Sequence, residues 1–368
     1  MPSLARQLLA RHPPLRWAGA LAAGALAGYA CTLLHTPIPW MLGPLFAVAF
    51  LRIGGIGVAV PVFARYTGQW IIGSAIGLYF TPEVVQLVAS IWWLLAIGAV
   101  FAIGLGYVSG VALARLARLD KTTGIFASVP GGASEMAVLG ERFGGRIDRI
   151  TAAQSLRVLI VVAIVPGLVT ALGVHGADVF VPGAKTFDLA GFGLLMAGTL
   201  AGGLAFQRLR VPNAFVLGSL AVAIPLTALR VDLSSVPQVV SNVAQLLLGC
   251  ALGSRFERDF LEGAHRFVGA VALSVVLSVI LSALFGAALG WLAGLNWATL
   301  VLGTAPGGLP EMCITAKSLQ LGVPVVTAFH VTRVVVLLLA TPLVFARARD
   351  WYRGRRGGPQ GGVRGGRE

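Results

Sequence analysis

The sequence predicts an all-α polytopic membrane protein, and both its composition and the length of its apolar runs support this. Of 368 residues, 57% are hydrophobic and 11% are charged, whereas a soluble domain carries about 25% charged residues. Apolar runs close to the roughly 20 residues that cross a bilayer recur along the chain, for example at 91–116 and 267–295. These runs lack the polar face of a soluble helix and the alternating pattern of a membrane β-strand.

About ten transmembrane helices follow from these runs. The predicted spans are 17–34, 37–51, 62–80, 84–113, 150–173, 188–207, 212–229, 236–254, 266–294 and 323–346. The first span follows a basic segment, as a signal peptide would, but it has a counterpart inside the chain, so we expect a retained helix. The net charge of +14 comes from 28 Lys and Arg against 14 Asp and Glu. The positive charges form short blocks between the spans, which favours a role in topology over nucleic-acid binding.

The sequence matches itself at a shift of about 176 residues, as expected for an internal repeat. "PGGASEM" at 130–136 aligns with "PGGLPEM" at 306–312, and "TAAQSLRV" at 151–158 aligns with "TAFHVTRV" at 327–334. Ordered matches at one spacing indicate two copies of one unit. The predicted parts of the chain are a basic cytoplasmic segment at 1–16, membrane repeats at 17–183 and 184–346, and an Arg/Gly-rich cytoplasmic tail at 347–368 that we expect to be disordered.

The distribution of positive charge predicts that the two copies are inverted in the membrane. If the basic loops lie in the cytoplasm, nearly every loop obeys the positive-inside rule, with Arg230 as the exception. Each copy then makes five full crossings, an odd number, so the second copy is inverted. Segments 122–140 and 299–316 become re-entrant elements that return to the side they enter from. The alternative is six crossings per copy and a parallel repeat, which places the basic block at 142–149 outside.

Each re-entrant element contains a helix-breaking Pro-Gly-Gly. The residues of the two breaks are Pro130, Gly131, Gly132, Pro306, Gly307 and Gly308, and we count the nearby Ser134 with this site. Unwound backbone at membrane depth survives only inside protein or against a water-filled cavity. The amides that begin the following half-helix can hold an anion or a substrate carboxylate. Discontinuous helices in inverted repeats are typical of secondary transporters.

Glu135 and Glu311 follow the two breaks at equivalent places. An isolated carboxylate in lipid costs several kcal/mol or takes up a proton. Each acid therefore either serves a coupling proton or Na⁺, or caps its half-helix or neutralises an arginine. Arg157 and Arg333 lie in apolar sequence and offer the pairs Glu135–Arg157 and Glu311–Arg333. Alternatively, the planar guanidinium groups bind an anionic substrate.

Two further matched pairs of polar residues belong to the predicted site. Gln154 and His330 precede the arginines by three residues and share their helix face. His330 is either a hydrogen-bonded packing residue or a proton relay. Gln69 and Gln245 either join helices or contribute to binding. The five His residues lie on different elements without ligand spacing, so we predict no metal site, no cofactor and no catalytic residue.

The duplicated "PGG-x-x-EM" elements, each followed by "Q/H-x-x-R-V" and a Pro-terminated helix, resemble the AbrB family of bacterial membrane proteins. The resemblance covers about residues 15–348. It implies a duplicated multi-pass protein of the bacterial inner membrane, and the basic ends place both termini in the cytoplasm. Some members carry an ammonia monooxygenase label, and one is described as a regulator of a DNA-alkylation response gene. The resemblance supplies neither a substrate nor an established catalytic residue.

Three functions are therefore open, and a secondary transporter is favoured. Its partners would be a small solute, with an anion favoured, a coupling H⁺ or Na⁺, and the lipid bilayer. A membrane monooxygenase would need a His/carboxylate metal cluster, which the sequence lacks. A membrane protein that indirectly regulates gene expression would need an output domain or a partner, and the loops are short. Nucleic acid is not expected as a partner, and a homodimer is left open.

Overall fold

The computed structural model describes residues 13–174, 176, 180–184, 186–256 and 265–356, and all regular structure in these residues is α-helical. In chain order, the first eight helices are α1 Pro13–Leu33, α2 Pro39–Ile53, α3 Val62–Gly77, α4 Pro82–Ser90, α5 Trp92–Leu116, α6 Lys121–Ser128, α7 Ala133–Arg142 and α8 Ile147–Ala171. The remaining helices are α9 Leu189–Arg208, α10 Ala214–Ala228, α11 Gln238–Gly253, α12 His265–Ala293, α13 Trp297–Thr304, α14 Leu309–Ser318 and α15 Val323–Arg356.

Several of these helices can cross a membrane. Among the described residues, α5, α8, α9 and α12 are long and apolar enough to cross alone. Helices α3 and α4 meet that criterion as a pair, although they are bent by 93° relative to each other. Helices α2, α10, α11 and the first part of α15 are apolar but shorter. The chain is thus an all-helical membrane protein, whereas the predicted total of ten spans stays a prediction.

The helix boundaries differ from the predicted ones at two places. The predicted span 84–113 is divided at Ile91, where the backbone leaves the helical region with φ −97° and ψ 17°. Pro82 begins α4 because it lacks an N–H and cannot continue α3. Helix α15 continues past the predicted end at residue 346 to Arg356. Its continuation "RARDWYR" is rich in Arg and Ala, which favour helix. Residues 1–12 and 357–368 of the predicted terminal segments lie outside the described residues.

The helices divide into two groups by their contacts. The first group contains α1, α2, α3, α9, α10 and α11, and the second contains α5 to α8 and α12 to α15. Each group therefore combines helices from both halves of the chain. Contacts between the groups are fewer. Helix α3 of the first group contacts α14 and α15 of the second, and α4, which belongs to neither group, also contacts α15. The candidate site lies at this boundary, which has helices from both halves of the chain on each side.

Small residues allow α3 and α11 to pack closely inside the first group. At Gly68 of α3, an added Cβ would lie 2.7 Å from Leu248 Cγ and 2.8 Å from the Ala244 carbonyl oxygen. At Gly73, further along α3, an added Cβ would lie 2.9 Å from the Val216 carbonyl oxygen of α10. Small residues are favoured at helix contacts in lipid because they let backbones approach. These close contacts place α3 between α10 and α11 in the first group.

Candidate functional site

Both predicted Pro-Gly-Gly elements interrupt a helix. Helix α6 ends at Ser128 and α7 begins at Ala133, while α13 ends at Thr304 and α14 begins at Leu309. The second glycine of each element, Gly132 or Gly308, is the N-cap of the following helix and has extended backbone. Neither cap receives a hydrogen bond from its own side chain, since glycine has none. The first amides of α7 and α14 therefore need partners other than an N-cap side chain.

Arg157 and Arg333 satisfy the carbonyl groups that the breaks release. Arg157 Nη1 donates to the Val129 carbonyl oxygen at 2.9 Å, and Nη2 donates to that of Gly131 at 3.3 Å. Arg333 Nη1 donates to the Ala305 carbonyl oxygen at 2.7 Å, and Nη2 donates to that of Gly307 at 2.6 Å. The two arginines are 5% and 4% exposed. Each guanidinium therefore replaces backbone hydrogen bonds at one break, and the pattern repeats in the two halves of the chain.

The predicted ion pairs Glu135–Arg157 and Glu311–Arg333 are wrong, since neither occurs among the ion pairs of the described residues. The physical reason is that each guanidinium fork is occupied by carbonyl oxygens. The carboxylates instead fold over the N-termini of their own helices. Oxygen Oε2 of each acid lies where a Cβ would stand on the preceding N-cap glycine. This position suits a negative charge because it faces the positive end of the helix dipole.

A cavity of about 90 Å³ lies between the two breaks. The predicted site residues that line it are Gln69, Pro130, Gly131, Gly132, Glu135, Arg157, Gly307, Gly308, Glu311 and Arg333. A water needs roughly 10–15 Å³ of such space, so the cavity holds several waters or one small solute. Glu311 is 6% exposed and its Oε2 has no hydrogen-bond partner among the described residues. The structure thus brings most of the predicted site residues of both halves to one place.

Other predicted residues do not line this cavity. Gln154 Nε2 donates to the carbonyl oxygens of Phe126 and Val129 at 2.7 and 2.9 Å. His330 Nε2 lies 3.0 Å from the Leu302 carbonyl oxygen. Both side chains are fully buried and bind the half-helix that precedes each break, as the packing interpretation of His330 requires. The remaining ones are Gln245 and Pro306, which line other cavities, and Ser134, whose side chain lies outside the described residues.

Sequence reasoning missed three polar residues of the cavity, namely Arg65, Asn213 and Arg255. Arg65 lies in the first turn of α3 and Arg255 follows α11, where basic residues usually reflect membrane topology. One signal could have identified Arg65, because it stands one helical turn before Gln69 on α3 and therefore shares its face. Asn213 is the N-cap of α10, with left-handed backbone at φ 50° and ψ 37° and no side-chain cap hydrogen bond.

Another cavity, of about 330 Å³, lies at the opposite end of the α3–α11 pair. It is lined by the C-terminal half of α3 and the N-terminal half of α11, whereas the central cavity meets the N-terminal half of α3 and the C-terminal half of α11. Helices α3 and α11 are thus antiparallel. Glu311 of α14 reaches the central cavity, while Cys313 and Lys317 of α14 reach the other. Helix α14 lies between the two cavities.

The described residues contain no group of three His, Cys, Asp or Glu side chains that could hold a metal ion. The three cysteines are free thiols, and Cys250 and Cys313 are buried. The ionisable groups brought together are therefore the arginines and glutamates of the central cavity. Their charges interact, since Arg65, Arg157 and Arg255 all act on the Glu311 carboxylate.

Comparison with known proteins places these features in a family. The sequence model of the family described as "Transition state regulatory protein AbrB" matches residues 40–349, which include both breaks and the central cavity. The chain is 26% identical over 347 residues to "Uncharacterized protein YhjN" of Bacillus subtilis (strain 168), covering 88% of this chain and 90% of that protein. It is 24% identical over 334 residues to "Putative regulator AbrB" of Escherichia coli (strain K12), covering 90% and 96%.

Proposed function

We propose a transport function for this chain, which belongs to the AbrB family. It is an integral membrane carrier that binds a small anionic solute in the central cavity and couples its movement to H⁺ or Na⁺. Repeats 17–183 and 184–346 are inverted relative to each other, and segments 122–140 and 299–316 are re-entrant. The carrier works in the bacterial inner membrane, with both termini in the cytoplasm.

One observation carries this proposal: two interrupted helices, their acids and their arginines line one cavity. Interrupting a helix in lipid is costly unless the exposed backbone groups find partners. Here, two buried arginines supply those partners for the carbonyl oxygens. The N-termini of α7 and α14 border a cavity that can hold a solute. Secondary transporters bind substrates at such helix ends near the midplane.

The arrangement of the two cavities supports a carrier that exposes its site to one side at a time. The cavities lie at opposite ends of the α3–α11 pair, and α14 stands between them. The central cavity also lies between the two helical groups, since α3 and α11 line one side and α7, α8, α14 and α15 line the other. Movement of one group against the other would transfer the solute between cavities without opening a continuous pore.

The antiparallel packing of α3 and α11 supports inverted repeats. Gln69 of α3 and Gln245 of α11 are counterparts in the duplicated sequence, so these helices are equivalent elements of the two copies. In a parallel repeat, equivalent helices run in the same direction, whereas inversion makes them antiparallel. Gln69 lines the central cavity, whereas Gln245 lines the other one.

Cysteine labelling tests this topology. The charge distribution places Arg146 in the cytoplasm and makes Arg230 the exception outside, so Arg146→Cys should react only from the cytoplasmic side and Arg230→Cys only from outside. Both positions are exposed. Cys31 is replaced by serine for this experiment, since the other native cysteines are buried. Labelling of Arg146→Cys from outside would contradict the inverted topology and favour the parallel repeat.

Filling the central cavity tests transport itself. Leu252 lines the cavity and is buried, whereas Leu194 is 62% exposed on the outer face of α9. In liposomes of purified protein, we expect Leu252→Trp to abolish saturable uptake of labelled organic and inorganic anions. The matched control Leu194→Trp should retain it. Equal uptake by both variants would contradict binding in this cavity, and absence of saturable uptake by the unmodified chain would contradict a carrier.

A further inference from the structure

We infer that the transported solute is a compact dianion, recognised by Arg65 and Arg255 from the first helical group. This inference rests on the proposed transport function and defines its substrate class. The four arginines of the central cavity have different surroundings, although all four line the same space. Those surroundings separate the arginines that hold the protein backbone from the arginines that remain for a ligand.

Arg157 and Arg333 are committed to the breaks. Each donates through both terminal nitrogens to backbone carbonyl oxygens, so its planar fork is already engaged by the protein backbone. Their positive charges are not cancelled by these neutral acceptors. Glu135 and Glu311 line the same cavity, and Glu311 interacts electrostatically with Arg255, Arg65 and Arg157. The two acids therefore serve the whole group of arginines and are not reserved for Arg157 and Arg333.

Arg65 and Arg255 hold no backbone group of either break. Neither makes a hydrogen bond or an ion pair with any described residue, although Arg65 lies over the adjacent Tyr66 ring at 5.3 Å from its centroid. Their guanidinium charges repel each other, while Glu311 and Glu135 attract Arg255. The four arginines and two glutamates that line the cavity sum to a formal charge of +2. An excess of like charge in a space of low dielectric is costly, and a dianion bound between Arg65 and Arg255 removes that cost.

The volume of the cavity limits the size of the ligand. The opposite wall carries the carboxylates of Glu135 and Glu311, which fold over the N-termini of α7 and α14, so the dianion is held on the side of Arg65 and Arg255. The space of about 90 Å³ restricts the solute to a small one. Succinate, sulfate and inorganic phosphate have the required charge and size.

Binding measurements at constant ionic strength test the dianion class. Purified full-length protein in neutral detergent is titrated with succinate, sulfate and inorganic phosphate, and with monovalent acetate and lactate, by calorimetry and thermal shift. We expect at least one of the three dianions to bind tenfold or more tightly than both monovalent anions. Arg65→Gln and Arg255→Gln should each weaken that binding at least tenfold. Lysine at either position should restore part of it, because the charge returns without the fork.

Arg142→Gln is the matched control, since Arg142 is exposed in the last turn of α7 and lies outside the cavity. An equal loss of dianion binding in this variant would overturn a specific role for Arg65 and Arg255. Failure of all three dianions to bind, while lactate or acetate shows saturable uptake in liposomes, would overturn the dianion class and leave the carrier standing. Protection by vesicles containing phosphatidic acid, with no saturable uptake of any anion, would overturn both and assign the cavity to a lipid headgroup.

Discussion

Replacing Arg333 with alanine is expected to destabilise the fold around the second helix break and to abolish uptake. The change removes the donors to the Ala305 and Gly307 carbonyl oxygens, at 2.7 and 2.6 Å. A buried polar group left without a partner costs about 1–3 kcal/mol, so two carbonyl oxygens account for roughly 2–6 kcal/mol. Thermal unfolding of the purified variant in detergent measures the loss, and uptake in liposomes measures its consequence.

The equivalent change in the first half provides the comparison. Arg157 makes the same two contacts, but its second one is longer, at 3.3 Å. We therefore expect Arg157→Ala to lower the unfolding temperature less than Arg333→Ala does. Lysine at residue 333 should be intermediate, since a single ammonium group cannot match the planar fork. Wild-type stability in Arg333→Ala would show that the carbonyl contacts do not support the break.

The control is Arg142→Ala, which removes an exposed guanidinium from the last turn of α7. It should leave the unfolding temperature unchanged, because surface substitutions that break no network usually fall within about 0.5 kcal/mol. A comparable loss in this variant would indicate a general effect of net charge instead of a local effect at the break.

The helices and their breaks could be predicted from sequence because lipid imposes simple rules. Apolar runs of the required length and basic loops located most helices, and the helix-breaking Pro130 and Pro306 fall within the observed interruptions. The repeat predicted that residues of both halves would contribute to one site. The bend between α3 and α4 was missed, since 84–113 was predicted as one span, whereas Pro82 begins a short separate helix at 93° to α3.

The partners of the buried charges could not be predicted, because sequence does not show which backbone groups a fold leaves unsatisfied. The pairing of Glu135 with Arg157 was the simplest compensation from composition alone. Once Val129 and Gly131 leave the helix, their carbonyl oxygens compete for the same guanidinium, and they lie closer to it. Arg65 and Arg255 were missed for a related reason. Basic residues at helix ends are common in membrane loops, and only the packing of α3 against α11 directs both to one cavity.

Glutamine at residue 311 is expected to reduce coupled uptake at least tenfold in a protein that still folds and inserts. Glu311 is 6% exposed, and its Oε2 has no hydrogen-bond partner among the described residues. Glutamine keeps the shape of the side chain but removes a negative charge that interacts with Arg255, Arg65 and Arg157, so we expect stability to fall as well. Loss of uptake from folded protein would indicate a residue kept for activity.

This outcome separates the two interpretations of the acids. If Glu311 serves only as a cap of α14, its negative charge complements the helix dipole, and glutamine should lower stability by about 0.3–1 kcal/mol with little effect on uptake. If it binds a coupling ion, uptake should also lose its response to an imposed H⁺ or Na⁺ gradient. Thermal unfolding and gradient-driven uptake of the same preparation decide between these results.

Glu135 provides the internal control because it occupies the equivalent place in the first half but is only partly buried. Glu135→Gln should also reduce coupled uptake, with a smaller loss of stability, since the charge it removes is better solvated. Membrane insertion should be normal in both variants. Wild-type uptake in both would assign the acids a structural role, and the Arg65–Arg255 pair would then have to select the solute without a coupling partner in the cavity.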